Sequence, residues 1–154
     1  IEFRISTIPG SKPGALAKIA SGGELSRISL AIQVITARTS RTPTLIFDEV
    51  DVGVGGATAE VVGSLLRKLG EHAQIICVTH LPQVAAQGHQ HYVVAKSTTK
   101  KSATTTVVQL TEEEKVDEIA RMLGGVEKTD LSLAHAEAMI LGVESNQRGR
   151  DPSE

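Results

Sequence analysis

The sequence predicts an α/β fold built on a parallel βαβ unit, followed by a β-hairpin and C-terminal helices. Three observations predict it. Two short apolar runs, TLIF at 44–47 and AQIICVT at 73–79, are rich in strand formers and bounded by turn residues. Between them lies a segment with apolar residues at helical spacing, and strand, helix, strand in this length reads as a parallel unit with a right-handed crossover. Downstream, HYVVAK and TTTVVQL flank the polar stretch STTKKSA, the pattern of an antiparallel hairpin.

The chain has 154 residues, enough for one domain with a sizeable core. Hydrophobic residues make up 40% and aromatics 2%, so Leu, Ile, Val and Ala must build that core. A formal net charge of -2 argues against a strongly basic nucleic-acid binder. Cys77 stands alone inside IICV, with no disulfide partner in the chain, and predicts a reducing compartment. No apolar run approaches membrane-spanning length. The opening residues carry no Met and no signal-peptide pattern, and read as the interior of a longer protein.

The elements follow in order. Ile1, Phe3 and Ile5 alternate with polar residues as in a half-buried strand, and PGSKPGALAK starts as a Pro/Gly loop. A helix is expected from 24 to about 38. Its stripe is Leu25, Ile28, Ile32 and Ile35, widened by Leu30, Ala31 and Val34, which predicts burial on most sides. The strand at 44–47 follows, then the glycine-rich turn VGVGG and a helix near 57–69 with Val62, Leu65, Leu66 and Leu69 inward. Gly70 is expected to close that helix as a C-cap. The unbroken run of the second strand predicts burial on both faces.

LPQVAAQG is expected to be a short helix ahead of the hairpin. Thr111 and Glu114 form a capping box for a helix to about 123, with Val116, Ile119, Ala120 and Leu123 inward. Asp130 is expected to cap a last helix facing Leu133, Ala136 and Ile140 to the core. Residues 1–145 are read as the structured unit and 146–154 as a polar, disordered tail.

Candidate chemistry gathers at the strand ends. Asp48 and Glu49 close the first strand of the βαβ unit and His80 closes the second. In open parallel sheets, ligands bind outside the carboxyl ends of the strands. The stretch SGGELSR at 21–27 opens the first long helix. Ser21 and Glu24 there form a capping box, which accounts for both without a ligand. Two consecutive glycines are not needed for a cap. Gly22 and Gly23 leave backbone amides bare at the positive end of a helix dipole, as an anion site requires. Two other readings stay in view: DNA contact through Lys96, Lys100 and Lys101 at the hairpin tip, and a metal held by His80, His89 and His91, with His89 and His91 on one strand face.

The order SGGELSR, helix, TLIFDEVD, helix, IICVTH resembles the ABC-type ATPase head, a P-loop NTPase-like fold. Valine after the glutamate in DEVD resembles its SMC branch. DEVDVGVGG, VTHLPQVAAQGHQHY and LGG with LAHAEAM resemble a bacterial DNA-repair group in that branch. The resemblance covers roughly residues 16–141. It implies that Ser21, Gly22, Gly23 and Glu24 belong to the signature motif, which binds the terminal phosphate of ATP held by a second head. It implies that Asp48 holds Mg²⁺ through water, that Glu49 activates the attacking water, and that His80 meets the γ-phosphate. It also implies DNA double-strand break repair, a homodimer of heads, DNA as a partner, no membrane, and a bacterial cytoplasmic, nucleoid-associated setting.

Two departures qualify the match. Gly55 occupies the place where the family's loop after the acidic strand carries an aspartate, and Asp51 nearby is left without a role. No G-x-x-x-x-G-K-[ST] run occurs, so nothing resembles the loop that cradles the inner phosphates. The expectation is therefore the C-terminal half of a split head, whose partner half carries that Walker A loop and is joined to it through a coiled-coil arm. The alternative is a non-catalytic dimerisation or docking module that keeps the fold.

Overall fold

A computed structural model of the chain describes residues 4–6, 10–16, 22–39, 42–48, 51, 53–98, 102–125 and 128–148. Its elements are β1 (Arg4–Ile5), β2 (Gly14–Ala15), α1 (Gly22–Thr39), β3 (Thr44–Phe47), α2 (Gly56–Leu69), β4 (Gln74–Cys77), α3 (Pro82–Ala85), β5 (Tyr92–Thr98), β6 (Ala103–Gln109), α4 (Glu112–Gly124) and α5 (Asp130–Arg148). The strands pair two by two: β1 with β2, β3 with β4, and β5 with β6.

The central pair is parallel. Thr44 lies opposite Gln74 and Phe47 opposite Cys77. The Val78 amide donates to the Phe47 carbonyl at 2.9 Å, carrying the pairing past the end of both strands. Helix α2 is the crossover and covers one face. Phe47, Ala59, Val62, Leu66 and Leu69 are buried there, joined by Leu30 and Val34 of α1 and Val84 of α3. A second cluster forms where α4 meets α5, around Ile119, Ala120, Ala136 and Ile140. The core is aliphatic, as the aromatic-poor composition requires, with Phe47 the aromatic among its buried residues.

Burial corrects the sequence reading in two places. The second strand is not buried on both faces: Ile76 and Val78 are exposed, as is Ile46 at 69% beside them. The broad apolar face expected on α1 is buried only in part. Leu25, Ile32 and Ile35 are exposed, whereas Leu30 and Val34 reach the core. A helix apolar around most of its girth does not reveal which side meets α2.

Helix ends supply further comparisons. The Thr111–Glu114 capping box forms in full: the Thr111 amide donates to Glu114 Oε2 at 2.8 Å, and the Glu114 amide to Thr111 Oγ1 at 3.2 Å. At α5 the cap is Thr129 and not Asp130. The Ser132 amide donates to Thr129 Oγ1 at 3.1 Å and the Thr129 amide to Ser132 Oγ at 3.0 Å. Gly70 ends α2 with right-handed dihedrals (φ -63, ψ -15), so it does not use glycine's left-handed freedom. The last helix runs from Asp130 to Arg148. Among the described residues, no helix is long and apolar enough to cross a membrane.

The approach of α3 to α2 depends on one glycine. A Cβ added at Gly63 would come within 2.7 Å of Gln87 Cγ and 3.1 Å of both the Gln83 carbonyl and Val84 Cα. Alanine is the better helix former by about 1 kcal/mol. Gly63→Ala should nonetheless destabilise the chain by about 1–3 kcal/mol, because backbone must shift to make room. A urea midpoint that stays put or rises would show that the contact is loose.

Candidate functional site

The parallel register brings the two strand ends level. Asp48 follows Phe47 directly and is exposed at the carboxyl end of β3. His80 stands three residues after the end of β4, and its side chain is 75% exposed. Glu49 and Ser21 lie outside the described residues. Helix α1 begins at Gly22, so Gly22 and Gly23 form its first turn; the side chain of Glu24 is outside the description.

What joins the two strand ends is Asp51, which the sequence left without a role. It is 3% exposed and turned into its own chain. One carboxylate oxygen, Oδ2, collects three contacts from the end of β4. It accepts the Thr79 hydroxyl at 2.5 Å and the His80 backbone amide at 2.9 Å, and it lies 3.1 Å from His80 Nδ1. Thr79 Oγ1 in turn accepts the Leu81 amide at 3.0 Å, at the entry to α3. The carbonyl of Asp51 accepts the Val54 amide at 3.0 Å and closes the turn toward α2. Gly53 (φ 71) and Gly56 (φ 53) occupy left-handed backbone in that turn, which is what the VGVGG spelling provides.

The electrostatics follow from burial and donors. Burial by itself raises the Asp51 carboxyl. The hydrogen bonds from Thr79 and the His80 amide, with the charge of the His80 ring, outweigh it, and the group is held below the usual carboxylate range. The Cys77 thiol, on the inner face of β4, is pushed up to about 11 by burial first, then by the negative charges of Asp51 and Asp48. Cys77 therefore lies within the field of both carboxylates.

Past His80, two cations hold the chain's path. Arg67 Nη1 donates to the Gln87 carbonyl at 2.6 Å, and buried Lys115 donates through Nζ to the Gly88 carbonyl at 2.9 Å. His89 and His91 precede β5 instead of sharing a strand face, since the strand starts at Tyr92. Burial lowers the pKa of both rings, and Nδ1 of His91 is buried with no hydrogen-bond partner. Among the described residues no group of three His, Cys, Asp or Glu gathers to hold a metal. Lys96 is exposed on β5, while Lys100 and Lys101 lie outside the described residues.

The lowered Asp51 value fixes the sign of a pH effect. The native chain keeps this carboxylate ionised after the unfolded chain has begun to take up its proton. The stability that the contacts contribute is complete above about pH 4, and is lost as pH falls through the native value. Asp51→Asn should cost about 1–3 kcal/mol at neutral pH and should flatten the acid arm of the stability curve. Urea unfolding of both chains at stepped pH checks this; parallel acid arms would contradict it.

No protein-family model matches the chain. It is similar to the DNA repair protein RecN of Vibrio cholerae, 55% identical over 141 residues, covering 92% of this chain and 26% of that protein. RecN of Haemophilus influenzae is 56% identical over 138 residues, covering 90% and 25%. RecN of Bacillus subtilis is 44% identical over 140 residues, covering 91% and 24%. The chain thus spans about a quarter of the length of these relatives. Among solved structures, it resembles one from a study of ATP-driven dimerisation and DNA-stimulated activation of SMC ATPases. That match has a TM-score of 0.59 at 21% identity and covers 77% of this chain and 70% of that one. The Smc head domain of Pyrococcus yayanosii, with a coiled coil and joint, matches with a TM-score of 0.57 at 23% identity, covering 71% and 20%. The chain is a RecN homologue over about a quarter of that protein's length, with a mixed α/β fold resembling SMC ATPase head domains.

Proposed function

We propose that residues 1–145 supply the C-terminal half of an ATP-hydrolysing head in a RecN-like protein acting in DNA double-strand break repair. The observation that carries this reading is the parallel pairing of β3 with β4, which sets Asp48 and His80 at one edge, with Asp51 bridging the two strand ends. The similarity to RecN supports the same assignment.

Each residue has a task on this reading. Asp48 is an exposed hard oxygen ligand at a strand end, suited to Mg²⁺ that keeps most of its water. A bound Mg²⁺ would offset charge on the phosphate oxygens. Glu49 positions and deprotonates the attacking water. His80, free to project from its anchored backbone, contacts the terminal phosphate. Ser21, Gly22, Gly23 and Glu24 offer amides and a hydroxyl to the terminal phosphate of ATP held by a second head. Catalysis by such parts is positioning and charge stabilisation, so neither head turns over alone.

The exposed apolar residues support a missing partner half. Ile46, Ile76 and Val78 leave one face of the β3–β4 pair open, and Leu25, Ile32 and Ile35 leave one side of α1 open. Strands buried on both faces are the rule in parallel sheets. The half bearing the Walker A loop would cover them and cradle the inner phosphates. The same reading puts the protein in the bacterial cytoplasm on the nucleoid, with DNA and a second head as partners.

In a full-length RecN carrying this sequence, Glu49→Gln should lower hydrolysis by about 10²–10⁴ while nucleotide binding survives. Steady-state turnover with a separate ATP-binding measurement checks both halves. Unchanged hydrolysis would remove Glu49 from its role, and lost binding would point to a structural one.

A further inference from the structure

Asp51 does more than hold backbone. This inference rests on the proposed head chemistry, because it concerns which nitrogen of His80 faces the nucleotide. The carboxylate is buried and ionised, and Oδ2 carries only lone pairs. His80 Nδ1 lies 3.1 Å away. A second lone pair at that distance would be repelled, so Nδ1 must bear the proton. A neutral imidazole left to itself in water favours the proton on the other nitrogen, Nε2. The carboxylate reverses that preference.

The consequence lies on the exposed side of the ring. The His80 side chain is 75% accessible while its carboxylate partner is 2% accessible. The buried carboxylate occupies Nδ1, and Nε2 is the nitrogen left to meet a ligand. Through Nε2 the ring can accept a hydrogen bond from water. After taking a second proton from solvent, it can donate to a phosphate oxygen, with Asp51 balancing the ring's charge. Both states use one anchored orientation, because the His80 amide, 2.9 Å from the same oxygen, fixes the backbone beneath the ring.

We infer that Asp51 is a positioning residue for His80, fixing the proton on Nδ1 and presenting Nε2 to the terminal phosphate of the nucleotide. The logic is that of any buried carboxylate that orients a working imidazole. The sequence supplies the parts: Asp51 sits three residues after Asp48, and Thr79 immediately before His80.

The test reads the ring directly. In the 154-residue chain labelled with ¹⁵N-histidine, a long-range ¹H–¹⁵N correlation spectrum is recorded without nucleotide at a pH where the ring is neutral. The His80 pattern should show Nδ1 protonated and Nε2 bare. Asp51→Ala should move it toward the Nε2-protonated form. Thr79→Val removes another partner of the same carboxylate without touching the ring and should leave the pattern as in the parent. A parent spectrum with the proton on Nε2 overturns the inference even if the Asp51 variant does not fold. So does an Asp51→Ala spectrum identical to the parent. In the full-length protein, Asp51→Asn should lower kcat by about 10–100-fold with KM little changed, as for carboxylates that orient ligating histidines. An unchanged kcat overturns the positioning role. Because the spectrum needs no ATP, the tautomer assignment and the head assignment fail separately.

Discussion

A carboxylate withdrawn from water must receive its hydrogen bonds from the protein, and Asp51 receives them from a segment almost thirty residues downstream. That requirement organises the site. The turn after β3 can close only where Thr79 and the His80 amide are within reach. The end of β4 can leave the sheet only in the direction that delivers them. Strand pairing sets Phe47 opposite Cys77, and the Val78 amide extends the ladder. Asp51 then fixes the residues that follow, where ladder bonds no longer do.

The surrounding packing serves the same geometry. α2 follows the Asp51 turn and buries one face of the strand pair, with Ala59, Val62, Leu66 and Leu69 against Phe47. Gly63 lets α3 approach that helix closely, so the segment leaving His80 is held from below. Arg67 and Lys115 then satisfy the carbonyls of Gln87 and Gly88 where the chain turns toward β5. The result is a packed, hydrogen-bonded underside and an exposed rim. Buried, hydrogen-bonded groups orient the rim, and the groups proposed to do chemistry sit on it, which suits a site assembled against a second surface.

Much of this was legible in the sequence. The βαβ unit, the hairpin and the capping box at Thr111 were readable because each is specified by local pattern. That Asp48 and the segment leading to His80 leave neighbouring strand ends was readable because strand ends share an edge in a parallel pair. Asp51 was not, since its meaning depends on partners supplied by the end of the far strand, which no local pattern announces. Burial on α1 was overread for a related reason: a helix apolar on most sides offers several faces of equal merit, and contact with α2 buries the one with Leu30 and Val34. Full burial of β4 was expected from its unbroken apolar run, yet burial needs a layer on each side, and the described residues provide one. Thr129 replaced Asp130 as a cap through a reciprocal pair with Ser132 that spacing could have shown.

One buried carboxylate couples the turn after β3 to the end of β4. A double-mutant cycle on folding stability with Asp51→Asn and Thr79→Val measures that coupling without reference to nucleotide. The coupling energy between the two positions should be about 0.5–3 kcal/mol. Effects that simply add, within about 0.3–0.5 kcal/mol, would contradict it.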